Sequence, residues 1–321
     1  MTVAVLPEAF AAYCSTLDLV VNTPEWERER SNGLGASDMS TVLGLNPWKD
    51  RHGLWLEKTL GVRQSENWRM VIGHALEPVV RDKFVMDTGI SVVQHPMVQS
   101  LSHPFLRYTP DGFTEDGGLF EAKTTSWHLG DQWEDGQVAD HAEIQVQAGM
   151  FVTGAPHAWV AAMVDADPER FHVRRVERDD GLIEDMVAVA SQFWHEYVLA
   201  NVEPPLTAVS LPWVKQKFSE VEEDESVDLG GDGAELVAKL QEAKRLARAA
   251  EKEAAGYEAE LRQRVGNAAE VWADGSYLGK RKKVTTKRLD QELMVAAGLD
   301  PDEFRSESSY TRFFWQAVRS G

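Results

Sequence analysis

Asp111, Glu121 and Lys123 are the residues whose types and spacing suit catalysis. In the segment PDGFTEDGGLFEAK, Pro110-Asp111 precedes Glu121-Ala122-Lys123 by ten residues. Side chains alternate along a strand, so Glu121 and Lys123 share a face. Asp116-Gly117-Gly118 is a turn signal that predicts a β-hairpin. Folding there sets residue 111 across from about 122–124 and lets its carboxylate meet Glu121. Two carboxylates aimed at one point make a hard-cation site, which for phosphodiester chemistry usually means Mg²⁺. Lys123 beside that ion would orient or help deprotonate an attacking water and offset charge developing on a phosphate.

The tripeptide Glu-Ala-Lys proves nothing alone, because it recurs at Glu242-Ala243-Lys244 on a helical segment. Taken by itself, the tripeptide is far better explained as an exposed strand pair. Its surroundings add weight: Asp111 follows a proline at a strand end, and an acidic helix residue, Glu77, lies upstream in GHALEP. An unpaired carboxylate among apolar neighbours is costly, and a metal would explain it. A partly exposed pair with Arg81 at i+4 explains Glu77 equally well. Gln145 lies on the helical segment ADHAEIQVQAGM, where an amide could order a lysine or a water, or simply face solvent.

The elements that must position these groups read as α/β. Two helical pieces flank a Gly-rich turn at 25–60, where Ser37 or Asp38 could cap the second and Gly61 ends the last. Ile72, Leu76, Val79, Val80 and Phe84 keep helical spacing over 70–89, and Gly89 stops the run. Strand-like segments follow at ISVVQHPMVQS, FLRYTPDGF and GLFEAKTTS, then a helix at 139–153. Strands at His157–Val164 and Phe171–Glu177 and a helix at 180–200 close the region. An α/β core is therefore expected at 1–205, an acidic Gly-rich connector at 206–233, and a helical and hairpin appendage at 234–321. There Leu236, Leu240, Ala243, Ala247, Ala250, Ala254, Tyr257 and Leu261 alternate spacings of four and three, a coiled-coil seam that needs a partner helix. A hairpin at 271–277 leads into Lys280, Arg281, Lys282, Lys283, Lys287 and Arg288, six cations in nine residues. They form either a nonspecific DNA grip or a charged strand edge that discourages aggregation.

Composition narrows the function. A net charge of −19 argues against a protein that coats nucleic acid indiscriminately, though not against one that grips DNA locally. One cysteine, Cys14, excludes an internal disulfide and a four-cysteine cluster, and fits a reducing cytoplasm. No apolar run approaches the ~20 residues of a membrane span, and the N-terminus lacks the basic start of a signal peptide. There is no phosphate-loop signature and no HExxH.

The set WERERSNGLGASD, GHALEP, PDG, EAK and EIQVQAGMFVTG resembles, in order and approximate spacing over about residues 25–200, the YqaJ-type viral recombinase family. That family is related to phage lambda exonuclease within the PD-(D/E)xK nucleases. The C-terminal helix, basic strand and SSYTRFFW tail resemble the tails of that family. The resemblance implies a mixed central sheet flanked by helices and degradation of one strand of duplex DNA from the 5′ end. It implies Glu77, Asp111 and Glu121 as ligands of Mg²⁺, with Mn²⁺ as substitute, and Lys123 and Gln145 completing the active site. It further implies that Arg30 and Ser37 hold a terminal 5′-phosphate. Arg forks onto phosphate, and a Ser at a helix start adds a hydroxyl and nearby N–H groups. A surface pair of Arg30 with Glu27 or Glu29, a capping role for Ser37, and Arg28 as the phosphate ligand are the competing readings. The expected partners are duplex DNA ends, a single-strand annealing recombinase and further copies of the chain. An endonuclease, a single-strand 5′ nuclease and a non-catalytic DNA-binding or assembly protein on the same fold are the rivals.

Overall fold

A computed structural model describes residues 6–21, 23–62, 68–281, 283 and 300. The chain divides into two units, Met1–Phe218 and Ser219–Gly321.

In the first unit the helices are α1 (Pro24–Ser31), α2 (Met39–Val42), α3 (Arg51–Leu60), α4 (Trp68–Thr88), α5 (Asp140–Thr153), α6 (Asp180–Phe193) and α7 (Leu211–Lys217). The strands are β1 (Cys14–Thr16), β2 (Leu34–Gly35), β3 (Val92–Val93), β4 (Val98–Ser100), β5 (Leu106–Tyr108), β6 (Gly112–Thr114), β7 (Leu119–Thr125), β8 (His157–Val164) and β9 (Phe171–Glu177). One sheet runs β3-β6-β7-β8-β9 and a second β1-β4-β5-β2. In the larger sheet β7 pairs antiparallel with β6 and parallel with β8, so the sheet is mixed. The order helix, antiparallel strands, helix, parallel strand gives the mixed central sheet flanked by helices that the sequence led one to expect.

The sheet is covered on both faces. Phe120, on one face of β7, packs with Val80 and Phe84 of α4 and with Ala161 and Met163 of β8. Leu119, on the other face, joins the main core with Ile144, Ala148 and Met150 of α5. Burying side chains of this size stabilises the fold by about 1.5–3 kcal/mol each. Helix α5 comes close because residue 149 is glycine: a Cβ there would lie 3.0 Å from both Leu119 Cδ1 and Tyr108 Cζ.

Two differences from the sequence reading have physical causes. The apolar stripe of α4 is buried only at Val80 and Phe84, whereas Ile72 and Val79 are about half exposed, 51% and 49%. Periodicity marks a face but not how far along the helix a sheet lies beneath it. Residues 208–217, expected in the connector, instead pack on the first unit. Asp50 caps α3 through Gly53 N–H at 2.9 Å and also accepts the hydroxyls of Thr207 and Ser210. Trp213 of α7 is buried against Gly53, where a Cβ would stand 2.8 Å from its indole nitrogen.

In the second unit, α8 (Gly230–Val265) is 36 residues long without a buried residue. Strands β10 (Glu270–Ala273) and β11 (Ser276–Lys280) form the expected hairpin. Asp274 and Gly275 at its turn both have positive φ, 47° and 80°, which tight hairpin turns require. No helix among the described residues is long and apolar enough to cross a membrane.

Candidate active site

The β6–β7 hairpin places the first carboxylate. Gly112 pairs with Phe120, so Asp111, one residue ahead of β6, falls beside Glu121. This is slightly earlier along β7 than the spacing suggested, and Asp111 Oδ2 accepts the Ala122 N–H at 2.7 Å. Glu121 is 2% exposed. Its Oε1 accepts the Lys123 ammonium at 2.7 Å and the Gln145 amide at 2.6 Å. Lys123 Nζ also donates to Gln145 Oε1 at 2.8 Å. Glu121, Lys123 and Gln145 thus close a triangle of charge-assisted hydrogen bonds between β7 and α5.

Glu121 Oε2 is buried without a hydrogen-bond partner. Burial, then Glu121 and Glu77, push the Asp111 carboxyl well above the usual carboxylate range. Burial also raises Glu77, with Arg81 opposing and Glu121 adding to the rise. Glu77 pairs loosely with Arg81 at 3.7 Å. Burial alone would lower Lys123, but Glu121, Asp111 and Glu77 outweigh it and keep the ammonium charged. Like-charged groups crowded away from water are what a cation relieves. Among the described residues, no three carboxylate, histidine or cysteine side chains already stand together as a metal cage. The donor set still fits a hard cation, because it offers an orphaned carboxylate oxygen, a second crowded carboxylate and a third within electrostatic reach.

Tyr108 is a neighbour that sequence spacing did not reveal. Its phenol is 1% exposed, and burial followed by Glu121 and Asp111 keeps it protonated well beyond its usual range. Neither its hydroxyl nor Glu121 Oε2 completes a well-formed hydrogen bond.

A second group of residues lies around Asp38. Ser37 is exposed, while Asp38 is 2% exposed and bonds Lys58 at 2.8 Å, with Lys49 at 3.7 Å. Burial raises the Asp38 carboxyl, but Lys58, Lys49 and Arg30 overcome it and hold Asp38 well below the usual range. Lys58 also donates to the Arg30 carbonyl at 2.9 Å, fixing the end of α1. Asp38, rather than Ser37, takes a local backbone group, accepting Gly35 N–H at 3.0 Å. The Arg30 guanidinium lies 4.8 Å from the Trp26 ring centre. Its rival Arg28 is exposed and paired with Glu25 at 3.1 Å, and Glu29 is taken by Arg107. Lys49 and Lys58 were not singled out in the sequence; only the fold brings them to Asp38.

A cavity of about 410 Å³ connects the two groups, with Ser37, Ser40, Asn46, Trp48, His141 and Gln145 in its wall. A more open cleft of about 860 Å³ is lined by Asp140, Glu143, Glu177, Asp179 and Asp180 alongside Arg175 and Arg178, an excess of anions unsuited to phosphate. Of the basic cluster, Lys280, Arg281 and Lys283 are described; Lys282, Lys287 and Arg288 lie outside the described residues. Arg281 binds the Gly266 carbonyl at the end of α8.

Residues 25–156 match the YqaJ-like viral recombinase domain. Protein YqaJ of Bacillus subtilis (strain 168) is 28% identical over 300 residues, covering 90% of this chain and 92% of its own. Among solved structures, the alkaline exonuclease LHK-Exo of Laribacter hongkongensis is 25% identical, covering 56% of this chain and 95% of its own, with a TM-score of 0.48. LHK-Exo in complex with dAMP gives 24% identity, 61% and 97% coverage and a TM-score of 0.49.

Proposed function

We propose that this chain, whose residues 25–156 carry a YqaJ-like viral recombinase domain, is a Mg²⁺-dependent exonuclease of duplex DNA ends. The observation that carries the reading is the buried Glu121. One of its oxygens is held by Lys123 and Gln145, the other is unpartnered, and Asp111 is pressed beside it.

Asp111 and Glu121, with Glu77, would hold the cation, and Mn²⁺ would substitute. The chemistry such an ion supplies when bound is polarisation of the scissile phosphate and acidification of a water. Gln145 fixes both Glu121 and Lys123, so the ammonium is positioned before substrate arrives. Lys123 then orients the attacking water and offsets charge growing on the phosphate oxygens. Ser37 and Arg30 would take the terminal 5′-phosphate, beside a site whose neighbours Lys49, Lys58 and Arg30 outnumber Asp38 and Glu57. Anchoring the end there, across the cavity from Gln145, sets cleavage from the 5′ end. In recombination, the single strand left behind is the substrate of a strand-annealing partner.

The test is digestion of linear duplex labelled at either 5′ or 3′ end, compared with a closed circle, with and without Mg²⁺. Early release of the 5′ label, no attack on the circle and no reaction without Mg²⁺ support the reading. Cutting of the circle would make the enzyme an endonuclease, and early release of the 3′ label would reverse the polarity.

A further inference from the structure

The seam of α8 is its own complement when read backwards. With Leu236 at heptad position d, the d positions are Leu236, Ala243, Ala250 and Tyr257, and the a positions Leu240, Ala247, Ala254 and Leu261. Among the described residues of the second unit this seam is uncovered: Leu236 is 67% exposed, Tyr257 60% and Leu261 59%. A long helix with an apolar stripe gains most of its stability from packing that stripe.

Antiparallel alignment of two copies about a point between Arg248 and Ala249 matches every layer by size. Leu236 meets Leu261 of the other copy, Leu240 meets Tyr257, Ala243 meets Ala254, and Ala247 meets Ala250. Large layers close both ends, and small central layers let the helix axes approach. The flanking charges agree. Lys239 falls beside Glu260 of the other copy and Lys244 beside Glu251, and two-fold symmetry repeats each pair. Parallel alignment would instead set Lys239 against Lys244 and Glu253 against Glu258, which repel. Lys239 and Glu260 already have exposed partners on their own helix, Glu235 at 2.6 Å and Arg264. Such surface pairs add little strength, so the flanking charges choose direction more than affinity.

We infer that α8 joins two copies of this chain as an antiparallel, two-fold-symmetric helix pair. The inference is independent of the nuclease reading, because its test reads mass and cross-links rather than cleavage.

The test uses the full chain at micromolar concentration. Light scattering is expected to report a dimer; a monomer overturns the inference. Variants Leu236→Cys and Leu261→Cys are then oxidised mildly, separately and mixed. Native Cys14 is a spectator, being 2% exposed with its thiol pushed up to about 11 by burial. Disulfide-linked dimer in the mixture but in neither variant alone is the expected result, and self-cross-linking of either variant would show a parallel pair. If the cysteines weaken the seam, charge reversal decides. Lys239→Glu/Lys244→Glu is expected to dissociate at least about tenfold more readily and to recover when mixed with Glu251→Lys/Glu260→Lys. A dimer indifferent to both reversals is held elsewhere and overturns the inference.

Discussion

Glu-Ala-Lys occurs once in each unit, and the two copies behave as different chemical objects. At 121–123 it lies on β7, where alternation sends Glu121 and Lys123 to one face and Ala122 to the other. Glu121 is 2% exposed and locked to Lys123 and Gln145. At 242–244 it lies on α8, where residues two apart point to nearly opposite sides. Glu242 is exposed and bonds Arg245 at 2.7 Å, one turn along, which holds its carboxyl below the usual range. The difference teaches that the tripeptide carries no chemistry until the backbone sets its spacing and burial removes its water. The same two charges are then a surface decoration in one unit and a buried, hydrogen-bonded cluster in the other.

The largest expected effect breaks that equivalence. Asp111→Asn and Glu121→Gln are expected to lower the Mg²⁺-dependent cleavage rate at least about 10³-fold, while both proteins stay folded. Glu242→Gln is expected to cleave at the wild-type rate. Initial rates on labelled linear duplex check all three, and equal damage at 121 and 242 would erase the distinction between the units.

A smaller effect sharpens the comparison within the first unit. Arg30→Ala is expected to abolish preference for a 5′-phosphate over a 5′-hydroxyl end, about tenfold or more, with slow cleavage retained. Arg28→Ala should change little, because Arg28 already pairs with Glu25 in solvent. The ratio of kcat/KM on the two ends measures this; loss of preference in Arg28→Ala would move the phosphate site to another face of α1.

The second unit is tested by salt. Replacing Lys280, Lys282 and Lys283 with Gln is expected to weaken DNA binding and flatten the log affinity against log salt line by about one unit per lost phosphate contact. Catalysis at saturating DNA should not change. An unaltered slope accompanied by aggregation would make these lysines guards of a strand edge.

The smallest effect concerns the two hairpin turns. Asp274 sits at the β10–β11 turn with positive φ, and at the β6–β7 turn Asp116 is bonded by Thr114 Oγ1 at 2.5 Å, His157 Nε2 at 3.1 Å and Trp159 Nε1 at 3.0 Å. Burial opposes ionisation, but these donors win and hold the Asp116 carboxyl down at about 2. A depressed pKa gives stability that is complete above the usual carboxylate range and fades as pH falls from about 4 to about 2. Asp116→Asn is expected to lower the melting temperature slightly at neutral pH and flatten the acid limb of stability. Melts across pH 2–7 check it, and an unchanged limb in Asp116→Asn would deny the turn its role.

Local patterns carried much of this into the sequence. The bounds of β8 and β9 match the expected strands, although β8 is buried almost throughout rather than alternating, and the ends of α3 and α4 and the β6–β7 turn follow from left-handed glycine positions. The grouping of Asp111 with Glu121 followed from one short hairpin. Hidden were contacts between residues far apart in the chain: Asp38 with Lys49 and Lys58, Tyr108 beside Glu121, and Asp50 with Thr207 and Ser210. No periodicity encodes such meetings. The exposed half of the α4 stripe was hidden for the converse reason, because hydropathy does not say whether a surface lies beneath it.

The measurement closest to the central claim is a calorimetric Mg²⁺ titration, with parallel thermal melts, of the wild type, Asp111→Asn and Glu121→Gln. If crowded carboxylates await a cation, wild type binds Mg²⁺ and melts higher as the ion is added. Either variant should then bind at least about tenfold more weakly, and Asp111→Asn should melt no lower than wild type without metal. Equal Mg²⁺ affinity in all three proteins would contradict the account.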